Sequence, residues 1–481
     1  GLPAAFYTAN KSFYGRKLLE SFAAVPLCIP PLLVALGYVS AFGMQGAVNK
    51  ILMFLFHLEN PPVTFLYSAA GIIFVQGFYN FPLVMKTVSD AWKTSPCREE
   101  DAARLLGADE FCIFRTITLY KLLPSIASSA MIVFLFCFFS FIIVLLFGAP
   151  GTTTIEVAVY QAARSTLDFK TAAQLALAET AIAAAAVTFY TMLEKKSSRN
   201  KGIQPDTDIK SEITLPKSAQ IIEKAVFFLL ILLILFCFLL PFAMLGINAF
   251  FNAGGIHGGN GALSFTIKNF VKIFTNNSFY TALLHTVQTA FATAFLCTLA
   301  GTAYAFTLKK IDFSAELNSA RESKQTSLLK IIPMLPMSVS SVVIGFGMML
   351  LVRRGTPLLL VLAQSALYWP FAFRQIITGA DKIPLEILEA SALLTENPIE
   401  RYYSILLPLC KKNSISAFGF CFALSAGDAS LPLVLAIPRY DTLALFTYRL
   451  AGSYRFSEAC ACGCILALLT AGIFTISTKM E

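Results

Sequence analysis

Ten apolar stretches run through the chain, at residues 20–43, 63–88, 123–147, 172–193, 225–248, 280–308, 329–352, 356–378, 412–437 and 458–478. Each is close to the roughly 20 residues needed to cross a bilayer. A lipid-facing segment has few structural options. Its backbone N–H and C=O groups must be satisfied within the segment, so each stretch is expected to be an α-helix. Composition agrees: 57% of residues are hydrophobic and 14% charged, against about a quarter charged in soluble domains. Mean hydropathy is +0.70. The expected fold class is an all-α polytopic membrane protein, for which counting domains by length has no meaning.

One polar stretch interrupts this pattern twice. Asp101 to Tyr120 reads DAARLLGADEFCIFRTITLY, and Glu389 to Pro408 reads EASALLTENPIERYYSILLP, 288 positions later. The same register pairs Gln76 with Gln364, Pro82 with Pro370, Pro96 with Pro384, Phe134 with Phe422, Thr154 with Thr442, Tyr160 with Tyr448 and Ser165 with Ser453. No gap is needed. This is an internal duplication in parallel order, the kind that builds two pseudo-symmetric halves of a transporter.

The expected division is a first half at 1–194, a polar linker at 195–223 and a second half at 224–481. Four spans fall in the first half and six in the second. Gly1 to Thr8 is similar to the segment from Gly301 to Thr307, near the end of the span at 280–308. Twelve spans are therefore expected of an intact protein, with the first half shortened at its N-terminus.

The net charge of +9 raises nucleic acid as a partner. Its distribution points elsewhere. With the two repeated loops on the cytoplasmic side, 27 of the 37 Lys and Arg fall on that side. That is the positive-inside bias of a membrane protein, and no nucleic acid is needed to explain it.

In the first loop, Glu99, Glu100 and Asp101 precede Ala102 and Ala103, and Gly107 follows. Acidic residues suit the positive N-terminal end of a helix, and Gly107 suits its stop. A short helix is expected there, with a second at about 109–118. The small Ala pair leaves a patch where another surface can approach. A polar loop duplicated at fixed spacing is expected to dock a partner from the aqueous phase.

Polar groups within spans are costly and are pathway candidates by default. They are Asp428 with its register mate Ser140, Glu179 with Gln174, and His285 with Gln288. Gln76 and Gln364 form a further pair. Each also has a plainer reading, as a hydrogen bond between helices. Prolines at 26, 30, 31, 82, 333, 336 and 370 are expected to kink or break their spans.

The 11 Cys contain no CxxC pair, and in the triplet Cys460, Cys462 and Cys464 the middle residue points away from the others on a helix. His57, His257 and His285 are scattered. No metal site and no catalytic cluster are expected. No GxxxxGK[ST] phosphate loop is present either, so energy is expected to come from a partner.

The pattern E-A-A, three residues, G, nine residues, I-x-L-P resembles the EAA loop of ABC importer permease subunits. Glu389, Ala390, Ile405, Leu407 and Pro408 match it in the second copy, with Ser391 and Thr395 departing. Ala102, Ala103, Gly107, Ile117 and Leu119 match in the first, with Asp101 and Tyr120 departing. Together with TTTIEVAVYQA at 152–162 and LAGSYRFSEA at 450–459, the chain is similar to fused two-half permeases of the ferric-iron and thiamine type.

The resemblance implies a type I permease fold in a bacterial inner membrane. It implies coupling of Asp101, Ala102, Ala103, Gly107, Glu389, Ala390, Ser391 and Thr395 to two ATPase subunits. ATP and Mg would sit on those subunits, with no cofactor on this chain, and an extracytoplasmic solute-binding protein would deliver thiamine or ferric iron. The alternative is a secondary transporter driven by an ion gradient.

Overall fold

The computed structural model describes residues 1–11, 13–21, 29–95, 98–148, 151–200, 217–252, 264–317, 332–352, 354–383, 385–395, 397, 400 and 402–479. Pro26, Pro96, His257, Pro384 and most of the linker lie outside the described residues, as do the side chain of Glu389 and the Gly pairs at 254–255 and 258–259.

The first half begins with α1 (Leu2–Asn10) and α2 (Arg16–Ser21), then α3 (Pro31–Phe42) and α4 (Ala47–Phe56). α5 (Ala69–Lys93) leads into the loop helix α6 (Arg98–Leu105). α7 (Glu110–Phe138) carries a π turn at Phe114–Thr118, and α8 (Phe141–Phe147), α9 (Ile155–Arg164) and α10 (Phe169–Asn200) follow.

The second half opens with α11 (Lys224–Phe250), α12 (Lys268–Phe274) and α13 (Asn277–Leu317). α14 (Ser341–Leu351), α15 (Pro357–Ala380) and the loop helix α16 (Leu385–Leu394) come next. A π turn at Tyr402–Leu406 precedes α17 (Lys411–Gly427), α18 (Ser430–Leu435), α19 (Leu443–Gly452) and α20 (Phe456–Lys479). The strands among the described residues are a two-residue pair, with Phe251 opposite Phe265. Among the described residues, six helices are long and apolar enough to cross a membrane by length and composition.

The structural repeat extends to the irregularities. The π turns at Phe114–Thr118 and Tyr402–Leu406 keep the 288-residue register, as do α9 and α19. Pro82 and Pro370 lie inside α5 and α15 at matched positions, each removing one i→i−4 hydrogen bond.

Several spans differ from the sequence expectation. The run at 329–352 is a 3-10 turn, Ile332–Ser338, followed by the short α14. Pro333 and Pro336 lack the N–H that a longer helix would use. Within the run at 20–43, the described helix starts at Pro31, where proline's fixed φ suits a first helical position. The runs at 123–147 and 412–437 are each broken, at Phe139–Ser140 and at Asp428–Ala429. The second loop segment, expected as a separate helix at 109–118, continues through its π turn into the membrane helix.

One core serves both halves. Leu32, Phe141 and Val157 belong to the same buried cluster as Val434, Leu443 and Leu466. The first helix of the second half also packs onto the first half. Tyr38 Oη donates to the Cys237 carbonyl at 2.7 Å. A Cβ at Gly37 would come within 2.8 Å of the Pro241 carbonyl, so only glycine permits this approach.

Candidate functional site: paired loops and a cavity between the halves

The loop helix α6 is held by its own charges. Arg104 bonds Asp101 at 2.6 Å and Glu110 at 2.8 Å. Glu110 first, and Asp101 after it, hold the Arg104 guanidinium above its ordinary range. Thr118 Oγ1 donates to Glu100 at 2.8 Å, and Lys121 pairs with Glu99 at 3.2 Å. The helix stops at Gly107, whose φ is +83°. The amides of Gly107 and Ala108 close the last turn onto Arg104 and Ala103. Ala102 is exposed and Ala103 half-buried.

The second loop ends its helix by other means. Thr395 Oγ1 donates to Glu400 at 2.8 Å and accepts from the Asn397 amide at 3.2 Å. The threonine hydroxyl thus does locally what left-handed backbone does at Gly107. Ala390 is exposed and Ser391 buried.

Both loops present leucines to solvent. Leu105 and Leu106 are 90% and 89% exposed, and their register mates Leu393 and Leu394 are 90% and 81% exposed. These are among the most exposed large apolar side chains of the described residues. Sequence reasoning passed over them, because leucine in an amphipathic loop reads as packing.

Between the halves lies a cavity of about 640 Å3. Its lining repeats with the chain. Asn80 and Tyr368, Leu83 and Phe371, Ile132 and Phe420, and Ser140 and Asp428 are all 288 apart and all line it. The broken helices explain the last pair, since each break turns residue 140 or 428 toward the space between the halves. Tyr79, Phe136 and Phe139 add aromatic wall.

Asp428 is fixed as it lines the cavity. Its Oδ1 accepts from the amides of Ser430 and Leu431 at 2.8 and 3.4 Å, capping α18. Its Oδ2 accepts from Gln364 Nε2 at 3.2 Å. Gln364 in turn accepts from Ser425 Oγ at 2.6 Å and Thr293 Oγ1 at 3.3 Å. Gln76, the register mate of Gln364, lines the cavity and makes a 3.5 Å bond to the Cys137 carbonyl.

Ten residues further along α15, about 15 Å toward the loop face, Arg374 enters the lining. Both its terminal nitrogens bond Tyr190 Oη of α10 at 3.2 Å, tying one half to the other. Sequence reasoning missed Arg374 and Tyr190. A charge inside the apolar run at 356–378 was the available signal.

The remaining sequence candidates lie elsewhere. Glu179 is buried behind the lining, and Gln174 and Gln288 are exposed. His285 Nδ1 lies 3.2 Å from the Asp441 carbonyl, and its ring stacks on Tyr440. It braces the second half internally.

Residues 1–199 and 314–478 match the family described as the binding-protein-dependent transport system inner membrane component. The chain belongs to this family. It is a transmembrane permease subunit of an ABC importer, a multi-pass protein of the inner membrane, and its partners are a solute-binding protein and an ATPase.

The permease is similar over nearly its whole length to the thiamine transport system permease protein ThiP. The ThiP of Brucella abortus (strain 2308) is 26% identical over 485 residues, covering 98% of this chain and 82% of that protein. The ThiP of Escherichia coli (strain K12) is 25% identical over 495 residues, covering 100% and 85%. A putative 2-aminoethylphosphonate transport system permease protein, PhnU of Salmonella typhi, is 29% identical over 185 residues, covering 38% of this chain and 64% of that protein.

Proposed function

We propose that this permease imports thiamine, driven by two ATPase subunits that dock on its two loops. The observation that carries the reading is the two-fold construction. One cavity lies between the halves, lined at register positions, and one bare leucine pair sits on each loop. The likeness to thiamine permeases over nearly the whole chain supports the substrate.

The chemistry of the cavity agrees with that substrate. Thiamine is an organic cation with aromatic rings. Asp428 offers a negative charge, and Tyr79, Phe136, Phe139, Tyr368 and Phe371 offer ring faces. A cation over an aromatic face gains about 0.5–2 kcal/mol, more when desolvated. Ser140, the register mate of Asp428, adds a hydroxyl-bearing residue to the same lining.

The loops face the cytoplasm in this reading, following the charge bias. Asp101, Ala102, Ala103, Gly107, Glu389, Ala390, Ser391 and Thr395 form or shape the two docking helices. The chain has no ATPase site of its own and binds no cofactor, and ATP and Mg act on the partner. The halves, 1–194 and 224–481, tilt as bodies around the cavity while the 195–223 linker spans between them. Closure of the ATPase pair pulls both loops, which is alternating access by rigid-body movement.

The test is reconstitution in liposomes with the cognate ATPase and solute-binding protein. ATP-dependent uptake of labelled thiamine is expected, and Asp428→Asn lowers it at least tenfold. Absence of thiamine uptake by a complex that hydrolyses ATP would sink the substrate reading.

A further inference from the structure

Behind the cavity wall, two acidic side chains lie near enough to act on each other through space. Glu156 lies on α9 and Glu179 on α10, both 1% exposed. All four carboxylate oxygens are buried, and none has a partner at full hydrogen-bond geometry. Among the described residues, neither carboxylate is in an ion pair. The Ser340 hydroxyl lies beside both, the Val342 amide lies beside Glu156, and Asp428 is near enough to act on Glu156 through space.

Burying one unpaired carboxylate costs several kcal/mol, and two placed together cost more. The N-terminal end of α14, where Ser340 is the cap, offers only about half a positive charge. That offsets part of one carboxylate. Two carboxylates and a hydroxyl are hard oxygen donors, the ligand type suited to hard metal ions. Ser340 also lines the cavity, which gives an ion a route in.

We propose that Glu156, Glu179 and Ser340 form a binding site for a small monovalent inorganic cation, with Na+ as the probe. The two acids belong to the first half and Ser340 to the second. A bound ion therefore ties the halves together on the wall of the cavity.

The experiment uses the full chain purified in detergent at constant ionic strength, with NaCl replacing N-methyl-D-glucamine chloride. The unfolding temperature is expected to rise with NaCl and saturate, as binding to the folded state alone requires. The rise is expected to vanish in Glu156→Gln/Glu179→Gln and to persist in Asp168→Asn, a substitution at an exposed acid. Direct binding of 22Na+ to the unaltered chain, displaced by unlabelled NaCl at about one ion per chain, is the second readout. It does not depend on any variant folding.

A flat response to NaCl together with no saturable 22Na+ binding overturns the proposal. So does a rise that survives in the double variant. If the double variant is merely more stable in every salt and the unaltered chain binds no 22Na+, the carboxyls share a proton instead, and the metal site is refuted. Neither readout involves thiamine, so the outcome is separable from the transport reading.

Discussion

Gln364 and Gln76 occupy the same place in the two halves, yet the same substitution is expected to cost very different amounts. Gln364 is fully buried and makes four hydrogen bonds. It donates to Asp428 and to the Ser425 carbonyl, and it accepts from the hydroxyls of Ser425 and Thr293. Gln364→Leu leaves one oxygen of Asp428 and two buried hydroxyls without this partner. Each stranded buried group costs about 1–3 kcal/mol. The hydroxyls can turn back to carbonyls of their own helices, as Thr and Ser do, so most of the loss falls at Asp428. A cost of about 3 kcal/mol follows. Gln76 makes one long bond, 3.5 Å to Cys137, at the edge of the cavity. Gln76→Leu removes less than about 1 kcal/mol and returns part of it as apolar burial. The assay is thermal unfolding of the two purified variants in the same detergent. Gln364→Leu should lower the midpoint at least three times as far as Gln76→Leu. Equal losses, or a larger loss at Gln76, would refute the claim that Asp428 is held in place by its glutamine.

Three further outcomes follow from the geometry. Leu105→Asp combined with Leu393→Asp should reduce recovery of the ATPase with the permease at least tenfold while leaving its unfolding midpoint within a degree or so, because both leucines are bare. Retention of the ATPase at full yield would argue against docking there. Tyr190→Phe removes the hydroxyl shared by both Arg374 nitrogens. That costs about 1 kcal/mol, or about fivefold in any equilibrium between closed and open halves, and should appear as a rise in ATP-independent thiamine leak from loaded liposomes. An unchanged leak would count against the tie. Lys93, and then Arg16, hold the Glu20 carboxyl below its ordinary 4.5. A depressed carboxyl contributes stability above pH 4.5 and loses it as pH falls through the lowered value. Glu20→Gln should therefore show a smaller fall in unfolding temperature between pH 6 and pH 3 than the unaltered chain, and an equal fall would dismiss the pairing.

The repeat was legible because polar residues stand out against apolar runs, and the loops shared a register over the whole of their length. Asp428 was legible for the same reason. The breaks at Phe139–Ser140 and Asp428–Ala429 were harder to read. The first lies in FFSFI, with no proline or glycine to announce it, and Phe141 is turned into the shared core by tertiary packing. Glu156 was hidden by its address. It stands between two apolar runs and was read only as part of a motif, but α9 folds back into the protein and buries it. Leu105 and Leu393 carry no signal of exposure in their identity, because only the folded neighbours decide what covers a leucine.

The pairing of Ser140 with Asp428 has a consequence for how such a cavity could be assembled from separate chains. Two identical subunits related by a dyad must present every axial residue twice. They would bring either two acids or none to the space between them, and two like charges across a narrow, poorly hydrated gap repel strongly. Joining the copies in one polypeptide removes that constraint. The lining can keep its inherited outline while an acid stands on one half and a hydroxyl on the other, an asymmetry that no homodimer could present.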